Sequence, residues 1–146
     1  MRALLTAPKG NGVKANRDRA ILSALFYHAL RRAELCAMKV KDLHERRGVK
    51  HFRIHGQGEK LRYNPVHTGA LSAIAEYLDA AGHGSNPNAP LFKPVRMHAP
   101  RSSLEAAMMP SGVYRMVKRY VKQVGISVDR FGPHAARATA ATNALD

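Results

Sequence analysis

The sequence has one cysteine and no long apolar run, and both shortages exclude classes of protein. Cys36 has no second cysteine to pair with, so an internal disulfide is excluded and a reducing compartment is favoured. No apolar stretch approaches the ~18 residues that a membrane-spanning helix needs. The amino terminus also lacks the apolar core of a secretory signal. The sequence therefore predicts a cytoplasmic protein without a membrane partner.

Acidic residues are also scarce. Among 146 residues there are 24 Lys and Arg but 10 Asp and Glu, which gives a formal net charge of +14. Such a charge disfavours the compact state unless an anionic partner neutralises it. A nucleic acid fits best, and a basic protein tuned for solubility or bound to the ribosome is the alternative. The length suits one domain with a core of its own.

Apolar residues recur at helical spacing in several segments. They predict a helix that begins at Arg17 after a cap at Asn16, and a short helix over "RRAELCAM". Further helices are predicted after a cap at Thr68, from Pro110, and in an alanine-rich segment that opens at Pro133.

One segment has a different period. In "KHFRIHGQGEKLRYNPV", residues 50–66, apolar and polar residues alternate around a glycine-containing turn, which predicts a β-hairpin. Residues 39–45 are a candidate third strand. We therefore expect a mainly helical α+β domain with a small three-stranded antiparallel sheet. Residues 1–15, rich in Gly, Pro and Lys, are expected to form a flexible lead-in.

Three short patterns bring chemically useful residues close together. In "HAAR", His134 and Arg137 share a helix face, and such a pair can move a proton and hold a phosphate. In "LRRAEL", Arg31 and Glu34 have the same spacing, and Lys60 follows the hairpin turn. Taken singly, these patterns are more typical of a surface His and Arg, a helical ion pair and a solvated lysine.

The helix predicted from Pro110 carries basic residues along one face. Arg115, Lys118, Arg119 and Lys122 have the spacing i, i+3, i+4 and i+7, which fits either a solvated face or contact with phosphates. The eight histidines show no spacing typical of metal ligands. The sequence therefore predicts no metal and no cofactor.

The order of "ALRRAEL", "GQGEK" and "PHAAR" resembles the catalytic domain of tyrosine recombinases, the phage-integrase family. The resemblance covers residues 16–146. In that family an R-x-x-E-L arginine, a hairpin lysine and an H-x-x-R helix surround a DNA phosphate. The resemblance implies catalytic roles for Arg31, Lys60, His134 and Arg137, and a supporting role for Glu34.

The chemistry implied by the resemblance is DNA strand breakage and rejoining through a phosphotyrosyl intermediate. The two arginines would hold the charge of the transition state, Lys60 would protonate the leaving 5′ oxygen, and His134 would assist proton transfer. The expected role is DNA recombination and integration, typical of mobile elements and located at the bacterial nucleoid. DNA contact is predicted for six basic side chains: Arg32, Arg62, Arg115, Lys118, Arg119 and Lys122.

The sequence departs from the family pattern after Arg137. Family members carry their nucleophilic tyrosine beyond that helix, whereas the five tyrosines here all precede His134. We therefore expect a truncated catalytic domain that binds double-stranded DNA without cleaving it. Self-association, or association with other recombinase subunits, is also expected. A stand-alone non-catalytic DNA-binding module is the alternative, and a small RNA-directed protein such as a ribonuclease toxin is a more distant one.

Overall fold

The computed structural model describes residues 2–56, 58, 60–95 and 106–125. The helices in these ranges are α1 (Arg2–Leu5), α2 (Val13–His28), α3 (Arg32–Ala37), α4 (Thr68–Ala81) and α5 (Pro110–Gln123). The strands are β1 (Leu43–Arg46), β2 (Val49–His55) and β3 (Leu61–Pro65), and they form one antiparallel sheet in the order β1-β2-β3. The predicted α+β fold with its three-stranded sheet is confirmed.

Helix α2 lies at the centre of the core. Its apolar residues from Ala20 to Phe26 are buried, and it packs against the buried Ile74 and Tyr77 of α4. Burying a large apolar side chain contributes roughly 1.5–3 kcal/mol. Because almost every side of α2 is covered, the positions of the neighbouring elements depend on this helix.

Helix α2 begins earlier than the sequence predicts. It starts at Val13 with Gly12 as its N-cap, so Asn16 lies inside the helix. The Asn16 amide donates to the carbonyl oxygens of Asn11 and Gly12 at 2.9 and 3.1 Å, rather than accepting a backbone N–H. The predicted cap was wrong because nothing between Val13 and Asn16 interrupts a helix.

The amino-terminal segment is part of the core where the structure describes it. Leu4 and Ala7 are buried, and the Arg19 guanidinium donates to the carbonyl oxygen of Pro8 at 2.8 Å. The lead-in predicted for residues 1–15 therefore holds side chains that pack, although its composition is typical of a flexible segment. Composition does not predict this packing, because Leu4 joins a core cluster most of whose members lie later in the chain.

The sheet covers one side of the core. Phe52 and Ile54 of β2 are fully buried, whereas the alternate residues of that strand are more exposed. The β2–β3 hairpin matches the prediction for residues 50–66. The third strand begins at Leu43 rather than at residue 39, because Val40–Asp42 form a 3₁₀ turn.

Helices α4 and α5 follow the predicted boundaries closely. The cap of α4 is His67 rather than Thr68, because the His67 Nδ1 atom accepts the Gly69 N–H at 3.0 Å. Helix α5 begins at Pro110, as predicted, and its buried residues are Val113, Met116, Val117, Tyr120 and Val121. Among the described residues, no helix has the length and apolar character needed to cross a bilayer.

Candidate functional site

Arg31 lies at the junction between α2 and α3. Helix α2 ends at His28, and its C-cap Ala29 has a φ of 52°, in the left-handed region. The Ala29 N–H donates to the Leu25 carbonyl at 3.0 Å. Arg31 follows in extended conformation as the N-cap of α3 and is exposed. The sharp turn thus leaves this arginine at the protein surface.

The Glu34 carboxylate joins this junction to the sheet. Its Oε1 atom accepts the Arg31 backbone N–H at 2.9 Å, and the Arg62 guanidinium of β3 donates to Oε2 at 2.9 Å and to Oε1 at 3.2 Å. Partial burial favours a higher pKa for Glu34, but Arg62 and the Arg31 N–H outweigh it and lower the pKa. Glu34 is therefore ionised near neutral pH.

Lys60 ends the hairpin turn beside the same carboxylate. The Gly56 N–H donates to the Lys60 carbonyl at 2.8 Å and closes the neck of the turn. A Cβ added at Gly56 would lie 3.6 Å from an Arg62 nitrogen and 3.8 Å from a Glu34 oxygen. We call Arg31, Glu34, Lys60 and Arg62 the Arg31 corner, because the Glu34–Arg62 pair lies between the turn after α2 and the hairpin neck.

Two histidines join the end of α2 to the start of α4, and sequence reasoning missed them. The His67 backbone N–H donates to His28 Nε2 at 3.1 Å, and Tyr27 stacks on the His67 ring at 3.9 Å between centroids. Burial, followed by the charge of His67, lowers the pKa of His28 to about 4. His28 is thus a neutral acceptor at physiological pH. Its position just before the turn was the one available signal.

Helix α5 presents the predicted basic face to solvent. Arg115, Lys118, Arg119 and Lys122 are all exposed. The inner side of α5 is tied to α2, because the Tyr120 hydroxyl donates to the buried Asp18 carboxylate at 2.6 Å. Arg17 also binds that carboxylate, at 2.8 Å, and Arg119 lies 3.7 Å from it. We call Arg115, Lys118, Arg119 and Lys122 the α5 face.

Arg32 connects the Arg31 corner with α5. Its guanidinium donates to the Pro110 carbonyl at 3.1 Å and lies 5.1 Å from the centroid of the Tyr114 ring. Lys118 approaches the same ring at 5.9 Å. Arg32 and Arg62 therefore both have protein partners, and DNA contact by either stays a prediction.

The sequence profile of the phage integrase family matches residues 1–146. The chain belongs to the phage integrase family. Tyrosine recombinase XerC of Pelobacter propionicus is 33% identical over 144 residues, which are 99% of this chain and 44% of that protein. Tyrosine recombinase XerA of Pyrococcus horikoshii is 31% identical over 130 residues, which are 89% of this chain and 41% of that protein.

Solved recombinase structures agree with the fold of this phage integrase chain. A crystal structure of XerA recombinase gives a TM-score of 0.74 at 26% identity, over 99% of this chain and 47% of the other. A crystal structure of XerH recombinase gives a TM-score of 0.71 at 19% identity, over 99% of this chain and 40% of the other. The chain thus spans less than half the length of these relatives and structures.

The second half of the site predicted from the family pattern, His134 and Arg137, lies outside the described residues. Its convergence with Arg31 and Lys60 stays a prediction.

In the part of the chain that the structure describes, no group of three or more His, Cys, Asp or Glu is placed to hold a metal. Burial raises the pKa of the Cys36 thiol to about 11, so this cysteine is protonated and unreactive.

Proposed function

We propose that this chain binds double-stranded DNA and supplies the Arg31–Lys60 part of a strand-cleavage site used in site-specific recombination. The observation that carries the proposal is the Arg31 corner. The family pattern marks Arg31 and Lys60 as catalytic. They are far apart in sequence, but both border the same Glu34–Arg62 pair. The relatives described as tyrosine recombinases support the same reaction.

The guanidinium of Arg31 is suited to contact a phosphate. Among the described residues, no carboxylate lies within ion-pair distance of its guanidinium, because Glu34 binds the Arg31 backbone and the Arg62 side chain. A guanidinium held near a scissile phosphate can donate two hydrogen bonds to its oxygens as negative charge accumulates. Lys60, exposed at the hairpin turn, would give its proton to the leaving 5′ oxygen.

Binding to DNA is favoured by charge and by one solved relative. The net charge of +14 and the exposed α5 face provide cations that can displace counterions from a duplex. The XerH recombinase structure with the same fold is described as bound to its difH substrate in a pre-cleavage complex. We propose that this chain engages DNA in the same general way, with the α5 face on the phosphates.

We further propose that these 146 residues bind DNA without forming a covalent adduct. Each tyrosine precedes Arg137, and each has a ring or hydroxyl partner in the fold. The partners are His67 for Tyr27, Arg46 for Tyr63, the Lys93 N–H for Tyr77, Arg32 and Lys118 for Tyr114, and Asp18 for Tyr120. The same observation favours the second candidate, a DNA-binding module that has no catalytic role.

A nicked duplex that traps covalent intermediates tests the proposal. The chain alone should give no protein–DNA adduct on a denaturing gel. Addition of a carboxy-terminal segment from a tyrosine recombinase, which carries the nucleophile, should produce adduct, and Arg31→Gln should abolish it. Arg47→Gln, which removes one exposed charge at the β1–β2 turn, is the matched control and should retain adduct.

Three outcomes decide between the candidates. Adduct from the chain alone would identify one of its five tyrosines as a nucleophile and contradict the proposal. DNA binding without adduct, even after the added segment, would support the non-catalytic module. Failure to bind duplex DNA at low salt would exclude both candidates.

A further inference from the structure

Three elements of the fold meet on one carboxylate. Glu34 of α3 accepts the backbone N–H of Arg31 and both terminal nitrogens of Arg62, with donor–acceptor distances between 2.9 and 3.2 Å. Arg62 lies in β3, two residues after Lys60. The carboxylate thus connects the turn after α2 to the strand that carries the hairpin lysine.

The hairpin neck lies next to the Glu34–Arg62 pair. A Cβ added at Gly56 would make ordinary van der Waals contacts with the Lys60 carbonyl, at 3.4 Å, and with the Arg62 and Glu34 head groups, at 3.6 and 3.8 Å. The Glu34 side chain is nearly buried, with 10% of its surface exposed, whereas that of Arg62 is 44% exposed. The pair is therefore partly shielded from solvent on the side that contacts the neck.

We infer that Arg62 is a positioning residue, whose two-pronged bond to Glu34 holds the Lys60 hairpin in register with Arg31. The inference rests on the proposed function, in which Arg31 and Lys60 act on one phosphate. A general acid must lie within hydrogen-bond reach of its target oxygen. A misplacement of about 1 Å can lower a rate roughly a hundredfold.

A direct contact between Arg62 and a DNA phosphate is the competing role. The two roles differ in what they require of the side chain. A phosphate contact needs mainly charge, which lysine also supplies. The planar fork that binds both Glu34 oxygens is available only to arginine. Arg62→Lys therefore separates the roles, because it keeps the charge and removes the two-pronged geometry.

The first experiment measures amide hydrogen exchange in the full 146-residue chain without DNA. Arg62→Gln and Arg62→Lys should each speed exchange of the Gly56 and Arg31 amides about tenfold or more, while amides of the α2 core such as Leu22 keep their rates. Glu34→Gln combined with Arg62→Gln should add little to either single change. Arg47→Gln is the control for loss of one exposed charge.

The second experiment measures duplex binding as a function of salt and adduct formation with the added tyrosine segment. The inference predicts unchanged DNA affinity and salt dependence for Arg62→Lys, with adduct formation reduced about ten- to a hundredfold. A phosphate contact predicts normal adduct formation for Arg62→Lys, and a loss of about one unit of salt slope for Arg62→Gln.

The outcomes of the two experiments are separable. Unchanged exchange at Gly56 and Arg31 in both variants would overturn the inference, whatever the DNA results. Faster exchange throughout the core would also overturn it, since Arg62 would then act on overall stability. If the chain binds no DNA but the local exchange changes appear, the proposed function fails while the coupling between Arg62 and the hairpin stands.

Discussion

The Arg31 corner and the α5 face are both basic, but their cations are held differently. In the corner, the Arg62 charge is matched by Glu34 at 2.9 Å. On the α5 face, no described carboxylate lies within ion-pair distance of Arg115, Lys118 or Lys122. A matched charge fixes the geometry of the groups around it, whereas an unmatched one attracts anions over a distance. The first region thus suits the orientation of side chains, and the second suits the DNA binding proposed above.

The two regions also differ in how they are anchored. The corner depends on polar contacts around a turn with a left-handed alanine, Ala29. Helix α5 is held from its inner side by an apolar stripe and by the Tyr120–Asp18 hydrogen bond. Substitutions on the α5 face should therefore alter DNA binding without loss of the fold. Substitutions at the Tyr120–Asp18 contact, which anchors α5, should destabilise the fold.

The largest effect is expected at that anchor. Asp18→Ala removes the carboxylate that neutralises the buried Arg17, so an unpaired charge remains in the core. Breaking a buried pair in this way costs about 3–5 kcal/mol. Urea unfolding should show this loss, while Asp79→Ala on the exposed side of α4 changes stability by less than about 0.5 kcal/mol. A loss below about 1 kcal/mol for Asp18→Ala would show that α5 does not depend on the carboxylate.

The next effect concerns DNA capture by the α5 face. Replacement of Arg115, Lys118 and Lys122 by Gln should lower duplex affinity roughly 30- to 100-fold at low salt, with a salt slope smaller by up to about 2.7 units. Stability should change little, because all three side chains are exposed. The measurement is a fluorescence-anisotropy titration at several salt concentrations.

A control of equal charge decides whether position matters. Lys41, Arg46 and Arg47 are exposed and lie in and around β1, away from α5 in sequence. Their joint replacement by Gln removes the same formal charge. An equal fall in affinity would mean that net charge alone drives binding, and the distinction between the two regions would be lost.

The end of α2, just before the Arg31 corner, should respond to pH in a way that the α5 face does not. Because burial lowers the pKa of His28 to about 4 in the folded state, the unfolded chain binds the proton first as pH falls below 6.5. The contribution of neutral His28 to the free energy of unfolding should be fully present above pH 6.5. It should decline between pH 6.5 and 4, by about 1–2 kcal/mol once solvent screening of this partly exposed ring is included.

Variants of two histidines isolate that response. His28→Gln should flatten the pH dependence of unfolding between pH 4 and 6.5. His44→Gln, at an exposed position of β1, should leave it unchanged. A wild-type protein whose stability is constant over this range would show that burial at the end of α2 does not hold His28 neutral.

The smallest effect tests the strain of the corner. Ala29 has a φ of 52°, which costs a non-glycine residue roughly 1–2 kcal/mol. Ala29→Gly should therefore raise stability by about 0.5–1 kcal/mol, after allowing for the greater freedom of glycine in the unfolded chain. Thermal unfolding should show a higher midpoint, whereas Ala24→Gly inside α2 should lower it. A lower midpoint for Ala29→Gly would mean that the alanine methyl group contributes packing.

Local patterns in the sequence predict those parts of the fold that depend on neighbouring residues. The alternation in residues 50–66 gives the hairpin, and Pro110 gives the start of α5. Arg31 and Lys60 are found because each belongs to a short motif. The partners Asp18 and Tyr120 are 102 residues apart. Their pairing depends on how α5 packs on α2, and no local period records it.

Contacts that the local pattern does not record also account for the predictions that were wrong. Glu34 is expected to pair within its own helix region, but its side chain reaches across to Arg62, 28 residues later, because the β2–β3 hairpin lies beside α3. The start of α2 was placed too late because Asn16 is a good cap in isolation. In the fold, the Asn16 side chain instead donates to the carbonyl oxygens of Asn11 and Gly12.

The hydrogen bonds around His28 and His67 fix where each ring carries its proton. His67 accepts the Gly69 N–H at Nδ1, so its neutral ring has the proton on Nε2. His28 accepts the His67 N–H at Nε2, so its proton is on Nδ1. The two neighbouring rings are therefore opposite tautomers, distinguishable by their ring-nitrogen chemical shifts. As acceptors, both orient the backbone N–H groups at the start of α4, and in this state the His28 ring carries no positive charge at the end of α2.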